Sequence, residues 1–377
     1  MLKLKLMASA ALLLVALCGR SEAANDLDAL LKKAMEGTTT PAVGLLIIRD
    51  GRIDELAVSG LRRADQPDKV TIDDSWLIGS TGKVMTTALI ARLVERDVRS
   101  WTATLEQMLP DLSAQMQPAY RTVTLVELLS HRAGLAENLR DLAYIDTFFS
   151  DTRALPAQRL DLAIHALGEP PEKAPGSEFV YSNSGFLIAA VIAERATHQS
   201  FETLIRQEVF APLGMSQAGF GPTLGDQPRG HRGGTPVLDA PHSTDEGVPL
   251  AYAPAGNLHM RLRDWALFCL DQLAGSHGHG KLLSPSSYQL MQSAQPDSPA
   301  GLDWGVQASI SGRQGPVLVH GGSDGNWLAW VALFPATGNG VLVVANATAD
   351  MGGDRATHAV LSAILSELSP ALESKRP

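Results

Sequence analysis

The spacing of apolar and polar positions divides the chain into three stretches. Residues 26–36 have a helical pattern, with Asn25 or Asp26 as cap. Ala42 to Arg49 is β-rich, Asp50-Gly51 is a hairpin signal, and Arg52 to Ser59 answers it as a second strand. A further helix starts near Ser80 and runs to about Arg96. Its apolar residues Val84, Met85, Ala88, Leu89, Ile90, Ala91, Leu93 and Val94 cover most of its circumference, which predicts a buried helix. Residues of roughly 100–290 are mostly helical in pattern, with long Pro/Gly loops. Residues 213–256 form a long loop-like stretch, of a length that tends to be functional. Strand patterns return at Gly305 to Ile310, Pro316 to His320, Trp327 to Phe334 and Gly340 to Ala345, and a helix from about Arg355 to Leu368 follows.

Strands at both ends with helices between them predict an α/β fold. The terminal strands join into one antiparallel sheet flanked by the terminal helices, and the middle forms a large all-helical lobe. The expected division is a sheet lobe of about 24–79 and 291–377 and a helical lobe of about 80–290. The cleft between them is the natural ligand site.

The first residues change this picture by subtraction. Lys3 and Lys5 precede an apolar run from Leu6 to Leu17, and Ser21-Glu22-Ala23 is a small-x-small cleavage site. This predicts a signal peptide over 1–23 and a periplasmic or secreted protein. About 12 apolar residues are short for a span that needs ~20. Cys18 follows Leu17, which is not the small residue a lipoprotein signal needs. Cys269 alone then remains, inside a helical pattern, where a packed core thiol is expected. The net charge of −9 becomes more negative once Lys3, Lys5, Arg20 and Glu22 leave, and no basic block argues for nucleic acid as a partner.

Four segments carry candidate chemistry. Gly79-Ser80-Thr81-Gly82-Lys83 puts a serine and a lysine three apart on one helix face, at a helix start that favours developing negative charge. A serine hydroxyl needs an adjacent base, and Lys83 serves if burial lowers its pKa. By itself this pattern also fits a capping serine followed by a solvated lysine. Tyr181-Ser182-Asn183 reads as an extended stretch that places Tyr181 and Asn183 on one side. The phenol can shuttle a proton, and Asn183 can hold both Lys83 and a substrate amide oxygen. The plain alternative is a turn. His320-Gly321-Gly322-Ser323 follows an apolar strand; Gly322 lets a substrate approach, and the Ser323 N–H can join that of Ser80 as an oxyanion hole. The alternative is a strand-end turn. Leu128 to Leu135 reads as a structural helix end, with Gly134 as cap and His131 and Arg132 favourable at a helix C-terminus.

Two further patterns are discounted. Gly321-Gly322-Ser323-Asp324-Gly325 has the form of a nucleophile elbow, but a strand pattern follows where that motif needs a helix. His277 and His279 share a loop with no third metal ligand in pattern.

Ser80-x-x-Lys83, Tyr181-x-Asn183 and His320-x-Gly322, in that order, resemble the serine β-lactamase and penicillin-binding superfamily. Leu128–Leu135 and Pro254-Ala255-Gly256 also look like this family, so the resemblance covers about residues 27–346. The Tyr-x-Asn motif is similar to that of class C β-lactamases, D-Ala-D-Ala carboxypeptidases and β-lactamase-like esterases. Class C enzymes carry lysine where this chain has His320. A neutral histidine would hold a substrate carboxylate less firmly, which shifts weight from β-lactamase toward peptidase or esterase. The resemblance implies an acyl-enzyme mechanism without metal or organic cofactor, acting on a small-molecule or peptide substrate. Ser80, Lys83 and Tyr181 would be catalytic, and Asn183, His320, Gly322 and Ser323 would contact substrate. A class C-like β-lactamase and a non-turnover penicillin-binding sensor stand as alternatives.

Overall fold

A computed structural model describes residues 26–237 and 247–370. The signal peptide expected over 1–23 lies outside the described residues. Six strands form one antiparallel sheet: β1 (Ala42–Arg49), β2 (Arg52–Gly60), β3 (Gly305–Ile310), β4 (Arg313–Ser323), β5 (Leu328–Phe334) and β6 (Asn339–Ala345). Their order is β2-β1-β6-β5-β4-β3, so the first hairpin is zipped to the last strand, with Val43 opposite Ala345. Each strand lies within a few residues of its sequence expectation.

β1 is a continuous apolar run because both its faces are buried. Val43, Leu45 and Ile47 pack under the terminal helices, against Leu31 of α1 (26–35) and Val360 and Ile364 of α7 (Gly353–Leu368). Leu46 and Ile48 face the opposite way, into the larger core that continues into the helices.

That larger core surrounds α2 (Lys83–Glu95). The helix is buried on nearly every side, as its all-round apolar pattern predicts. α5 (Asn183–Thr197) packs on it, and α3 (Leu125–Leu129), α4 (Leu155–Gly168) and α6 (Leu262–Ser276) contribute to the same core. Cys269 of α6 is a buried free thiol, and burial pushes its pKa up. The loop-like stretch after residue 213 contributes small pieces: Gly219–Phe220 joins a three-stranded ribbon with Ser75–Leu77 and Leu258–Arg261, and Leu250–Ala255 is a 3₁₀ turn. Among the described residues no helix is long and apolar enough to cross a membrane.

Two expectations about local structure need correction. Tyr181 and Asn183 are not on an extended stretch: Ser182 caps α5, its hydroxyl accepting from the Gly185 N–H, and Asn183 is the first helical residue. The Leu128–Leu135 segment is not a plain helix end capped by Gly134. α3 stops at Leu129, and His131 takes a positive φ of 59° that turns its ring into the interior.

Candidate active site

The Ser80 turn is held by close backbone approach. Ser80 lies in a 3₁₀ turn, Gly79–Gly82, that runs directly into α2. Gly79 has φ +55°, and a Cβ there would stand 2.4 Å from the Ser323 nitrogen. From the other side, a Cβ on Gly322 would stand 2.8 Å from the Ser80 nitrogen. Only glycine at both positions lets the end of β4 press against the turn, bringing the Ser80 and Ser323 amides together. β3 stops with Gly305 opposite Val319, so His320 to Ser323 run on past its end.

Lys83 points back along the same face. Its Nζ lies 2.9 Å from Ser80 Oγ and also donates to the Ala255 carbonyl. Thr86 Oγ1 donates to the Pro254 carbonyl at 2.8 Å, so the Pro254-Ala255-Gly256 segment holds the first turn of α2. Lys83 is fully buried, and desolvation pulls its pKa down to about 7 against the pull of Asp303 and Glu137. Its Nζ sits 5.0 Å from the Tyr181 ring centre and 5.6 Å from that of Phe186. Tyr181 also interacts with Ser80 through its side chain. Burial, with Asp303 and Glu137 adding to it, pushes the phenol well above its ordinary pKa. Of the two candidate bases, lysine is therefore the one ready to take a proton near neutrality. Tyr181 stays protonated and is suited to passing one on.

Asn183 makes no hydrogen bond to Lys83. Its amide Nδ2 donates to Asn138 Oδ1 at 2.9 Å, and its backbone N–H donates to the Glu137 carbonyl. His320 is not a free hydrogen-bonding group either. Its Nδ1 donates to the Gly321 carbonyl at 2.8 Å, and its Nε2 stands 3.0 Å from Asp303 Oδ2, an ion-pair distance though off the line of a well-aligned hydrogen bond. Both ring nitrogens therefore face acceptor oxygens of the protein.

Two residues of the cluster are not among the site residues expected from sequence: Asp303, and His131, whose segment reads as structural. Asp303 is fully buried between His320 and His131, whose Nε2 lies 2.9 Å from Asp303 Oδ1. Burial alone would raise the Asp303 carboxyl, but His320 and His131 win and hold it below the usual carboxylate range. His131 Nδ1 accepts from the Ser182 N–H at 3.0 Å, which makes it a neutral ring carrying its proton on Nε2. Burial lowers its pKa, in keeping with that state. Its ring centre is 4.6 Å from that of Tyr181. The reading of His131 as a structural helix-end residue with weak chemistry therefore missed its place against the phenol. A lone Asp between Leu302 and Trp304 was the available signal for Asp303. Beside the cluster opens a cavity of about 560 Å³, walled by Phe179, Val319, Leu328 and Trp330. No group of metal-ligating side chains occurs among the described residues.

A family model described as Beta-lactamase matches residues 27–364. Protein flp of Staphylococcus aureus (strain NCTC 8325 / PS 47) is 22% identical over 334 residues, covering 86% of this chain. The chain spans 64% of that relative's length. Penicillin-binding protein 4 of Amycolatopsis lactamdurans is 26% identical over 310 residues, covering 79% of this chain and 78% of the relative. The solved structure of D-alanine carboxypeptidase AmpC from Burkholderia cenocepacia superposes with a TM-score of 0.68 at 20% identity, covering 90% of this chain and 99% of that one, which shows a shared fold.

Proposed function

The chain belongs to the Beta-lactamase family, and on that premise we propose that it is a serine hydrolase working through an acyl-enzyme on Ser80. The observation that carries the reading is Lys83: fully buried, 2.9 Å from Ser80 Oγ, with its pKa drawn down to about 7. A buried lysine that can be neutral beside a serine hydroxyl is a general base in place.

The steps follow from the geometry. Neutral Lys83 accepts the hydroxyl proton as Ser80 Oγ bonds to the substrate carbonyl carbon. The developing oxyanion is stabilised by the backbone N–H groups of Ser80 and Ser323, which Gly79 and Gly322 allow to converge. The bond to the leaving group breaks, and the proton passes from Lys83 to that group through the Tyr181 hydroxyl. Water then attacks the ester on Ser80, giving its proton back along the same path, and the acid departs. Substrates are amides or esters, of the D-alanyl-peptide carboxypeptidase or short-chain esterase kind. The N-terminal leader pattern supports a periplasmic or secreted site of action.

A fluorophosphonate probe, followed by peptide mass spectrometry, tests the nucleophile. An adduct on Ser80, lost in Ser80→Ala, is the expected result. An adduct on Ser323 with Ser80 unmodified would overturn the assignment.

A further inference from the structure

We propose that His131 is a positioning residue for proton transfer: it holds the Tyr181 phenol at Ser80 by gripping the chain on both sides of that tyrosine. The proposal rests on the acyl-enzyme reading and adds to it a residue that acts through Tyr181.

Tyr181 has no regular structure to hold it. Residues 179–182 lie in neither helix nor strand, and α5 begins at Asn183. His131 supplies bonds on either side of the tyrosine instead. The Val180 N–H donates to the His131 carbonyl at 2.7 Å, and the Ser182 N–H donates to its Nδ1 at 3.0 Å. Between these two ties the imidazole lies against the phenol ring, with 4.6 Å between centres. Farther on, Ser182 Oγ donates to the Ala136 carbonyl and the Asn183 N–H to the Glu137 carbonyl. Those bonds set the start of α5, one residue or more beyond the phenol.

The imidazole is itself fixed. Its Nε2 donates to Asp303 Oδ1 at 2.9 Å, and the rings of Phe179 and Phe186 stand 5.3 and 5.4 Å from its centre. The place calls for a flat ring with an acceptor on one edge and a donor on another, which a neutral imidazole combines. A phenol that hands on a proton must keep its hydroxyl within hydrogen-bond reach of the group that receives it, and a small misplacement costs rate steeply. Loss of the imidazole should therefore act where Tyr181 passes the proton to the leaving group. The attack of Ser80, which Lys83 serves, should suffer less.

Two acetate esters with different leaving groups test this. p-Nitrophenyl acetate releases a weakly basic anion that needs no proton, whereas the alkoxide of p-nitrobenzyl acetate must be protonated to leave. His131→Gly removes the ring and accepts the positive φ at no cost. It is expected to lower kcat/KM for the benzyl ester at least about tenfold more than for the phenyl ester. His131→Asn also tolerates that φ and restores an acceptor for the Ser182 N–H. It should recover part of the difference, and it keeps the test open should His131→Gly fail to fold. In a Tyr181→Phe background either change should cost the benzyl ester little more, since the two residues act as one unit. A merely structural role, or an indirect effect on Lys83 through Asp303, would lower both esters alike and persist beside Tyr181→Phe. Equal loss on both esters in whichever variant folds, or the same loss in the Tyr181→Phe background, overturns the proposal. The underlying mechanism fails separately, and is recognised by turnover of both esters surviving in Ser80→Ala.

Discussion

Among the described residues two cations, Lys83 and Arg159, are fully buried, and they have opposite surroundings. Arg159 of α4 lies among carboxylates: it bonds Glu194 of α5 at 2.6 Å and Glu202 at 2.8 Å. Burial would lower its pKa, but the two glutamates outweigh that and raise it. Lys83 has no carboxylate at hydrogen-bond distance among the described residues; Ser80 Oγ and the Ala255 carbonyl are its partners. Burial wins there and brings it down to about 7. The difference teaches how to read a buried charge. A cation given matched anions is fixed in one protonation state and ties helices together. A cation denied them can titrate near neutrality, which is of no use to packing but is what a general base requires.

Exchanging each cation for an apolar side chain should split the two roles. Lys83→Met is expected to lower kcat by ~10²–10⁴, the range of general-base contributions, with a melting temperature no lower than that of the wild type. Removing a buried charge without a carboxylate partner relieves a cost, which offsets the carbonyl left at Ala255. Steady-state kinetics and calorimetry on the same preparation check both halves. Arg159→Met should do the reverse. It strands Glu194 and Glu202 and should cost ~3–5 kcal/mol of stability, read by denaturant unfolding, while the folded fraction keeps wild-type kcat. Loss of activity in folded Arg159→Met, or collapse of stability in Lys83→Met, would break the comparison.

The same contrast explains what could be read in advance. Ser80 and Lys83 were legible because the i, i+3 relation on a helix is local and needs no knowledge of the fold. The strands were legible because burial of one or two faces writes itself into apolar spacing. Asn183 was found by its motif, but its partner was misjudged, because the capping of α5 by Ser182 turns an extended reading into a helix start. Asp303 and His131 were missed as site residues for a different reason. They stand 172 positions apart, and nothing in the periodicity of either segment points to the other. Contacts across that distance depend on how the sheet meets the helices, and local spacing does not carry that information. The Arg159 network has the same character, being polar residues inside helices whose match is fixed only by packing α4 on α5.

The two cations should also answer differently to pH. As a base, Lys83 must be neutral, so kcat/KM is expected to rise with pH through about 7 and to level off above it. Stability carries the matching sign. The folded-state pKa of about 7 is depressed from 10.5, so between those values the unfolded chain holds a proton that the folded one lacks. Unfolding free energy, measured as wild type minus Lys83→Met, should therefore increase from pH 7 toward 10.5 and be flat below 7. Arg159 is protonated throughout, and Arg159→Met should leave this slope in place. A wild-type rate profile flat across pH 6–8 would remove Lys83 from the role of base.

The smallest effect expected concerns the edge of the Lys83 environment. Asn183 donates to Asn138 Oδ1 and has no hydrogen bond to Lys83, so it belongs with neither cation. In Asn183→Ala the site loses one neutral hydrogen bond, worth ~0.5–1.5 kcal/mol, or a fewfold to about tenfold in KM. The mechanism places no proton on Asn183, so kcat should change little and the rise in kcat/KM should stay centred at the same pH. Asn138→Ala removes the other half of the pair and should reproduce this result if orientation of Asn183 is what matters. A shift of the pH limb in either variant would mean that the amide helps set the lysine's charge. Lys83 would then be less isolated than its bonds to Ser80 and Ala255 imply, and the contrast with Arg159 would be one of degree.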